Sequence, residues 1–210
     1  MKYFKYGAKE IEHLKKRDKK LAKIIEKRGI IKREMTEDPF AALIESIIGQ
    51  QISGRAAQAV TARFYKLLNG DISPSNIKKL GLEAVRSCGI SMRKAAYINA
   101  AAEASLNKEI DFKNLHKLKE EEIVKKLSSL DGVGVWTAEM LMLFCLGKKN
   151  VLSYGDLGIR RAIMKLHDLK TLSKKEFEKY KEMYSPYGSA ASLYLWTIDA
   201  FAKREKMRET

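Results

Sequence analysis

From Leu130 to Ala138 the chain reads Leu130, Asp131, Gly132, Val133, Gly134, Val135, Trp136, Thr137, Ala138. A helix-like stretch, Glu120 to Leu127, comes before it and an apolar run, Met140 to Leu146, comes after, which predicts two helices joined by a tight reversal. Gly132 and Gly134 carry no side chain and can enter backbone conformations denied to other residues, so the N–H groups of the turn can closely approach an anionic oxygen. The helix that begins there adds its positive dipole end and its unpaired amides. A phosphate suits such a site, and its recognition carries no sequence preference. Taken alone, two glycines between helices are also an ordinary turn.

The remainder of the chain reads as helix. Among 210 residues there are 3 Pro and 13 Gly, too few breakers for a loop-rich fold, and apolar residues recur at helical spacing. Ala41, Leu43, Ile44, Ile47 and Ile48 mark one apolar face; Ala56, Ala59, Val60, Phe64, Leu67 and Leu68 mark another. No stretch alternates cleanly between turn residues, so an all-α fold is predicted. Ser73-Pro74, Gly81, Gly89, Gly147 and Gly188 punctuate the helices. The length allows one domain or two small lobes.

Charge narrows the partners. Lys and Arg number 41 against 26 Asp and Glu, a net +15, and the acidic residues are interspersed, which puts the excess on a folded surface facing a polyanion. The longest strongly apolar run, Met140 to Leu146, is far short of the roughly 20 residues that span a bilayer, so no membrane role is expected. Met1 to Arg17 holds no apolar core of a secretory signal, which predicts an intracellular protein. Cys88 and Cys145 sit in apolar contexts and read as buried thiols. His13, His116 and His167 lack metal-ligand spacing, so a transition-metal enzyme is not expected.

Several blocks, in order, carry a resemblance. The first is Asp38, Pro39, Phe40, Ala41, Ala42, Leu43 with Ile47, Ile48, Gly49, Gln50, Gln51, Ile52, Ser53, Ala56, Ala57. Cys88, Gly89, Ile90, Ser91, Arg93, Lys94, Ala95 and Tyr97 follow; then the hairpin; then Tyr154, Gly155, Asp156, Leu157, Gly158, Ile159, Arg160, Arg161. Tyr184, Pro186, Tyr187, Ser189, Ala190, Ala191, Tyr194, Leu195 and Trp196 close the series. Together these resemble the helix-hairpin-helix DNA glycosylases, and within them the 3-methyladenine DNA glycosylase II type in a short form without an N-terminal β-containing domain. The resemblance implies two lobes with the chemistry in the cleft between them: residues 31–147 ending in the hairpin, and residues 1–30 joined by 148–210.

The same resemblance implies a repair enzyme that flips an alkylated base out of duplex DNA and hydrolyses its glycosidic bond, leaving an abasic site. Glycosylases for oxidised or mismatched bases, and a non-catalytic DNA-binding module, are the alternatives; a module leaves the co-occurrence of the aspartate, the aromatic positions and the Gln-Gln-Ile-Ser turn unexplained. Asp156 precedes a helix and is by itself an ordinary N-cap. By resemblance it is the catalytic carboxylate, stabilising positive charge that develops at C1′ and the ring oxygen. Many relatives have an acidic residue just before it, where this chain has Gly155. Trp136 and Tyr184 hold base-pocket positions, with core packing the alternative for both; some relatives have a Trp at 184, an Arg at 188 and aromatics at 140 and 157, where this chain has Tyr184, Gly188, Met140 and Leu157. Strand-nicking relatives place a Schiff-base Lys where Trp136 stands, so a monofunctional enzyme is expected.

Gln51 occupies the position that fills the gap left by the extruded base, although a Gln at a helix end is also commonly just solvated. Gly132, Gly134, Ser91, Arg93 and Lys94 are expected at the DNA backbone, with Ser53, Arg55, Thr137, Arg160 and Arg161 as weaker contacts. Damaged double-stranded DNA is the implied partner of a monomeric protein, in the cytoplasm at the nucleoid if the source is prokaryotic. No cofactor is required; relatives hold a monovalent cation on the carbonyls matching Ser128, Leu130 and Val133. Some carry a four-cysteine iron–sulfur cluster near the C-terminus, but no cysteine follows Cys145.

Overall fold

A computed structural model describes the backbone of residues 2–206 and the side chains of residues 2–198. In chain order the elements are β1 (Lys2–Tyr3), α1 (Ala8–Arg17), α2 (Lys19–Arg28), β2 (Glu34–Met35), α3 (Pro39–Gly49), α4 (Gly54–Leu67), α5 (Pro74–Ser87) and α6 (Met92–Leu106). A 3₁₀ segment (Phe112–Lys117), α7 (Glu120–Leu127), α8 (Val135–Phe144), α9 (Leu157–His167), α10 (Lys174–Tyr184) and α11 (Gly188–Lys206) complete the order. The all-α reading holds, apart from the two-residue pairing of β1 with β2. Among the described residues, no helix is long and apolar enough to cross a membrane.

The chain forms two compact units, one from residues up to Met35 together with those from Gly147 onward, the other from Thr36 to Leu146. Residues 31–35, expected from sequence with the hairpin lobe, fall instead with the N-terminus. The ladder explains this: Lys2 pairs with Met35 and Tyr3 with Glu34, and Phe4 N–H donates to the Arg33 carbonyl.

The Thr36–Leu146 unit is built around α3. Asp38 accepts from the amides of Phe40 and Ala41, and Pro39 sits at the helix start, where its missing N–H costs nothing. Beyond that cap, Leu43, Ile44, Ile47 and Ile48 are all within 1% of full burial, packed against α4, α6, α8 and the 3₁₀ segment. Truncating any of these to Ala costs about 2–5 kcal/mol on general grounds. The α4 face differs from the sequence reading: Val60, Phe64 and Leu68 are buried at i, i+4, i+8, whereas Ala56 and Ala59 are exposed and Leu67 is 36% exposed. Gly81 leaves helical geometry (φ 73°, ψ 165°) and bends α5 in its middle.

The other unit packs α9 against α11, with Leu14, Leu21, Ile25, Ile163, Phe177 and Tyr194 buried around them. Asp18 ends α1 and starts α2, and it is 4% exposed. Its Oδ1 accepts from the amides of Lys20 and Leu21; its Oδ2 accepts from the Tyr184 hydroxyl at 2.6 Å and contacts His167 Nε2 at 3.1 Å. A buried carboxylate is tolerated because four groups surround it, three of them backbone or hydroxyl donors.

Candidate functional site

In the Thr36–Leu146 unit, three helix starts carry the residues singled out from sequence. Ser53 caps α4 by accepting from the Ala56 amide at 3.2 Å, and Ser91 caps α6 through the Lys94 amide at 3.4 Å. Gly134 opens α8 without a side-chain cap, so the first-turn amides of that helix have no side-chain acceptor at Gly134. Gly134 and Val135 are exposed, and Gly132 bends the turn at φ 79°. A methyl group on Gly132 would overlap the Tyr97 ring, which lies directly under the turn. The hairpin therefore needs glycine at 132 for two reasons, its left-handed angle and the ring beneath it. A turn of this kind, with a positive helix end behind it, suits an anion.

The turn between α3 and α4 lies beside the hairpin. Gln50 Nε2 donates to the Gly132 carbonyl at 2.8 Å, and Gln51 takes a left-handed conformation (φ 56°) with its side chain exposed. Trp136, in the first turn of α8, is 42% exposed. It lines a hollow of about 500 Å³ with Ser46, Gly49, Gln50 and Gln51, a size that suits a flat aromatic ligand group. Trp136 and Gln51, separated by most of the unit in sequence, thus share one opening.

Asp156 lies in the other unit, at the N-cap of α9. Its Oδ1 accepts from the Ile159 amide at 2.9 Å, the cap bond expected from sequence, and also from the indole N–H of Trp196 at 3.2 Å. Gly158 makes room for this pair, since a Cβ there would stand 3.1 Å from Asp156 Oδ1 and 3.2 Å from Trp196 Cδ1. Leu157, next to the carboxylate, is 55% exposed. Such a carboxylate is fixed in direction by two donors and suits stabilisation of a nearby developing cation.

Other expected contacts fall differently. Tyr184 is 0% exposed, with its hydroxyl on Asp18; a ring enclosed on all sides cannot stack on a base, so Tyr184 is a core residue and not a pocket wall. Thr137 is 5% exposed and turned inward, leaving only its amide at the α8 start. Lys94 is half-buried, and its Nζ donates to the carbonyls of Ile48 and Gln50, not outward. Arg160 is half-buried with its guanidinium over the Tyr154 ring at 4.9 Å. Arg55, Arg93 and Arg161 are exposed. At the hairpin, the Leu130 carbonyl accepts from Val133 N–H at 3.1 Å, and Ser128 closes α7 with its Oγ buried and without a hydrogen-bond partner. Cys88 and Cys145 are buried free thiols, as read from sequence.

Sequence reading assigned no role to Trp196, although it is one of only two tryptophans and stands in the last matching block. It also missed the contact Gly158 permits and the tie from Gln50 to the hairpin.

The HhH-GPD superfamily of base excision DNA repair proteins matches residues 44–186. The chain belongs to that superfamily. It is 33% identical over 174 residues to DNA-3-methyladenine glycosylase 1 of Schizosaccharomyces pombe, covering 81% of this chain and 76% of that protein. The crystal structure of a DNA-3-methyladenine glycosidase from Bacillus halodurans superposes with a TM-score of 0.87 at 33% identity, over 97% of this chain and 95% of the other. The S. pombe 3-methyladenine DNA glycosylase in complex with abasic DNA gives 0.80 at 31% identity, over 90% and 95%. The fold is that of the helix-hairpin-helix glycosylases.

Proposed function

We propose that this HhH-GPD protein removes alkylated bases, of the 3-methyladenine type, from duplex DNA by hydrolysing the glycosidic bond and leaves the strand uncut. The observation that carries the reading is the pairing of chemistries: Trp136 exposed at the hairpin helix, where a strand-cutting enzyme needs an amine, and Asp156 aimed by two donors. The three relatives named above, each 3-methyladenine glycosylase or glycosidase by name, support it.

In this reading the hairpin amides and the starts of α4 and α6 grip the phosphate backbone, with Arg55, Arg93 and Arg161 adding charge. Gln51 enters the gap from which the base has left, and the Trp136 face receives the base. A methylated purine is cationic and is drawn to an indole face by about 0.5–2 kcal/mol more than a neutral one. It leaves with the bonding electrons as a neutral base; water adds at C1′ and loses a proton; and Asp156 offsets the charge between these events. No acid is needed to protonate the leaving group, which accords with Gly155 in place of a second carboxyl.

The hairpin fits a resident monovalent cation: the carbonyls of Ser128, Leu130 and Val133 would hold it, and the partnerless Ser128 Oγ is a further oxygen there. When bound, such a cation adds positive charge behind the phosphate site.

The test is base release from methylated duplex DNA by wild type and Asp156→Asn, with strand analysis before and after alkali. Release of 3-methyladenine by wild type alone, with breaks only after alkali, is expected. A borohydride-trapped protein–DNA adduct would refute the hydrolytic route.

A further inference from the structure

Lys94 looks from sequence like a phosphate contact beside Ser91 and Arg93, and its geometry says otherwise. The last turn of α3 contains no basic residue, yet its terminal carbonyls and negative dipole end need a partner. Lys94 reaches across from α6 to supply it, donating to the carbonyl of Ile48 at 2.8 Å and to that of Gln50. Gln50 is held a second time, by its side chain on the Gly132 carbonyl. The residue that follows is Gln51, a non-glycine at φ 56°, a conformation that persists only where its surroundings over-determine it. On its far side Ser53 is fixed as the cap of α4. Gln51 is therefore the free tip of a turn clamped at both ends, and the clamp on the α3 side is Lys94.

We propose that Lys94 is a positioning residue for base extrusion: by fastening the Ile48 and Gln50 carbonyls it holds Gln51 in the left-handed conformation that presents its side chain to DNA. This rests on the reading that Gln51 fills the gap left by the base. Burial, with Arg93 adjacent, lowers the Lys94 ammonium from the ordinary lysine value, in keeping with a cation committed to protein carbonyls.

The experiment uses duplex DNA carrying a methylated purine next to 2-aminopurine, whose fluorescence reports unstacking. Unstacking, single-turnover base release and the salt slope of binding are compared for Gln51→Ala, Lys94→Met and the double variant. A loop moved from its productive place costs up to about 10²-fold in rate, so Gln51→Ala and Lys94→Met are each expected to lose about 10-fold or more in unstacking and release. The double variant should be no worse than Gln51→Ala, because Lys94 acts through Gln51. The salt slope of Lys94→Met should match wild type.

Losses that multiply in the double variant, or wild-type release by Lys94→Met while Gln51→Ala is impaired, would overturn the inference. So would a slope flatter by about 0.9, which would make Lys94 a phosphate contact. A silent Gln51→Ala would instead sink the insertion reading on which the inference rests. Should Lys94→Met fail to fold, Lys94→Gln keeps a polar side chain that ends one atom short of the Ile48 and Gln50 carbonyls, and the same losses in unstacking and release are expected of it.

Discussion

Replacing Trp196 by Phe keeps an aromatic ring on α11 but removes the N–H that points at Asp156 Oδ1. A hydrogen bond to a charged group contributes about 1.5–3 kcal/mol. At 3.2 Å the indole bond is longer than the strongest charge-assisted bonds, and the Ile159 amide at 2.9 Å still holds the same oxygen, so the low end applies. A loss of about 1.5 kcal/mol in the transition state is about tenfold in rate. The assay is single-turnover release of 3-methyladenine at saturating enzyme, with binding to an undamaged duplex measured in parallel. The single-turnover rate should fall about tenfold while affinity for undamaged DNA stays unchanged, since the phosphate contacts proposed for the hairpin, α4 and α6 do not involve Trp196. Release within about twofold of wild type, or a loss confined to DNA affinity, would refute the argument that the indole aims the carboxylate. Gly158→Ala gives an independent check, because its methyl pushes on both members of the pair and should lower the rate in the same way.

Other outcomes follow from the same geometry. Gly132→Ala combines a left-handed angle, about 1–2 kcal/mol, with overlap on the Tyr97 ring, about 1–3 kcal/mol more, and should lower the melting temperature and weaken DNA binding together. Adding Tyr97→Ala should return the overlap share only; full recovery would remove the backbone argument. Tyr184→Phe leaves the buried Asp18 one donor short, so it should cost about 1–3 kcal/mol at neutral pH in urea unfolding. Burial first, and then Asp18, raise the Tyr184 hydroxyl well above the ordinary value of 10.0, so the folded state keeps a proton that the unfolded chain releases. Stability should therefore fall as pH rises above that value, by up to about 1.4 kcal/mol per unit from this group, and Tyr184→Phe should flatten the decline; parallel curves would contradict it. Trp136→Ala should reduce the preference for a cationic methylated purine over a neutral base by about 2- to 30-fold in competition, and no change in preference would remove the cation–π role.

Local chemistry was legible in the sequence and distant pairing was not. Asp38-Pro39, Ser53, Ser73-Pro74 and Ser91 mark helix starts because a cap and its amide lie within three residues. The α4 face was drawn too wide because alanine is equally at home buried or exposed, so Ala56 and Ala59 carry no sign of direction. Tyr184 looked like a pocket wall because the partner that encloses it, Asp18, is 166 residues away. Lys94 looked like a phosphate ligand because backbone carbonyls have no letter in a sequence. At Gly188 a Cβ would come within 3.3 Å of Asn150 and Leu152, a constraint set by three-dimensional neighbours alone.

Asp18 also bears on how the chain comes to be assembled. The Thr36–Leu146 unit is continuous and can fold as soon as its last helix has been made, whereas Asp18 must wait for His167 and Tyr184. At about 5–20 residues per second, the 166 residues from Asp18 to Tyr184 take roughly 8–33 s to synthesise. Throughout that interval the apolar sides of Leu14, Leu21 and Ile25 have no α9 or α11 to cover them. During its own synthesis the protein thus carries an unfinished amphipathic helix pair ahead of the Thr36–Leu146 unit, dressed with lysine and arginine, and those like charges oppose association of nascent copies until the closing segments arrive.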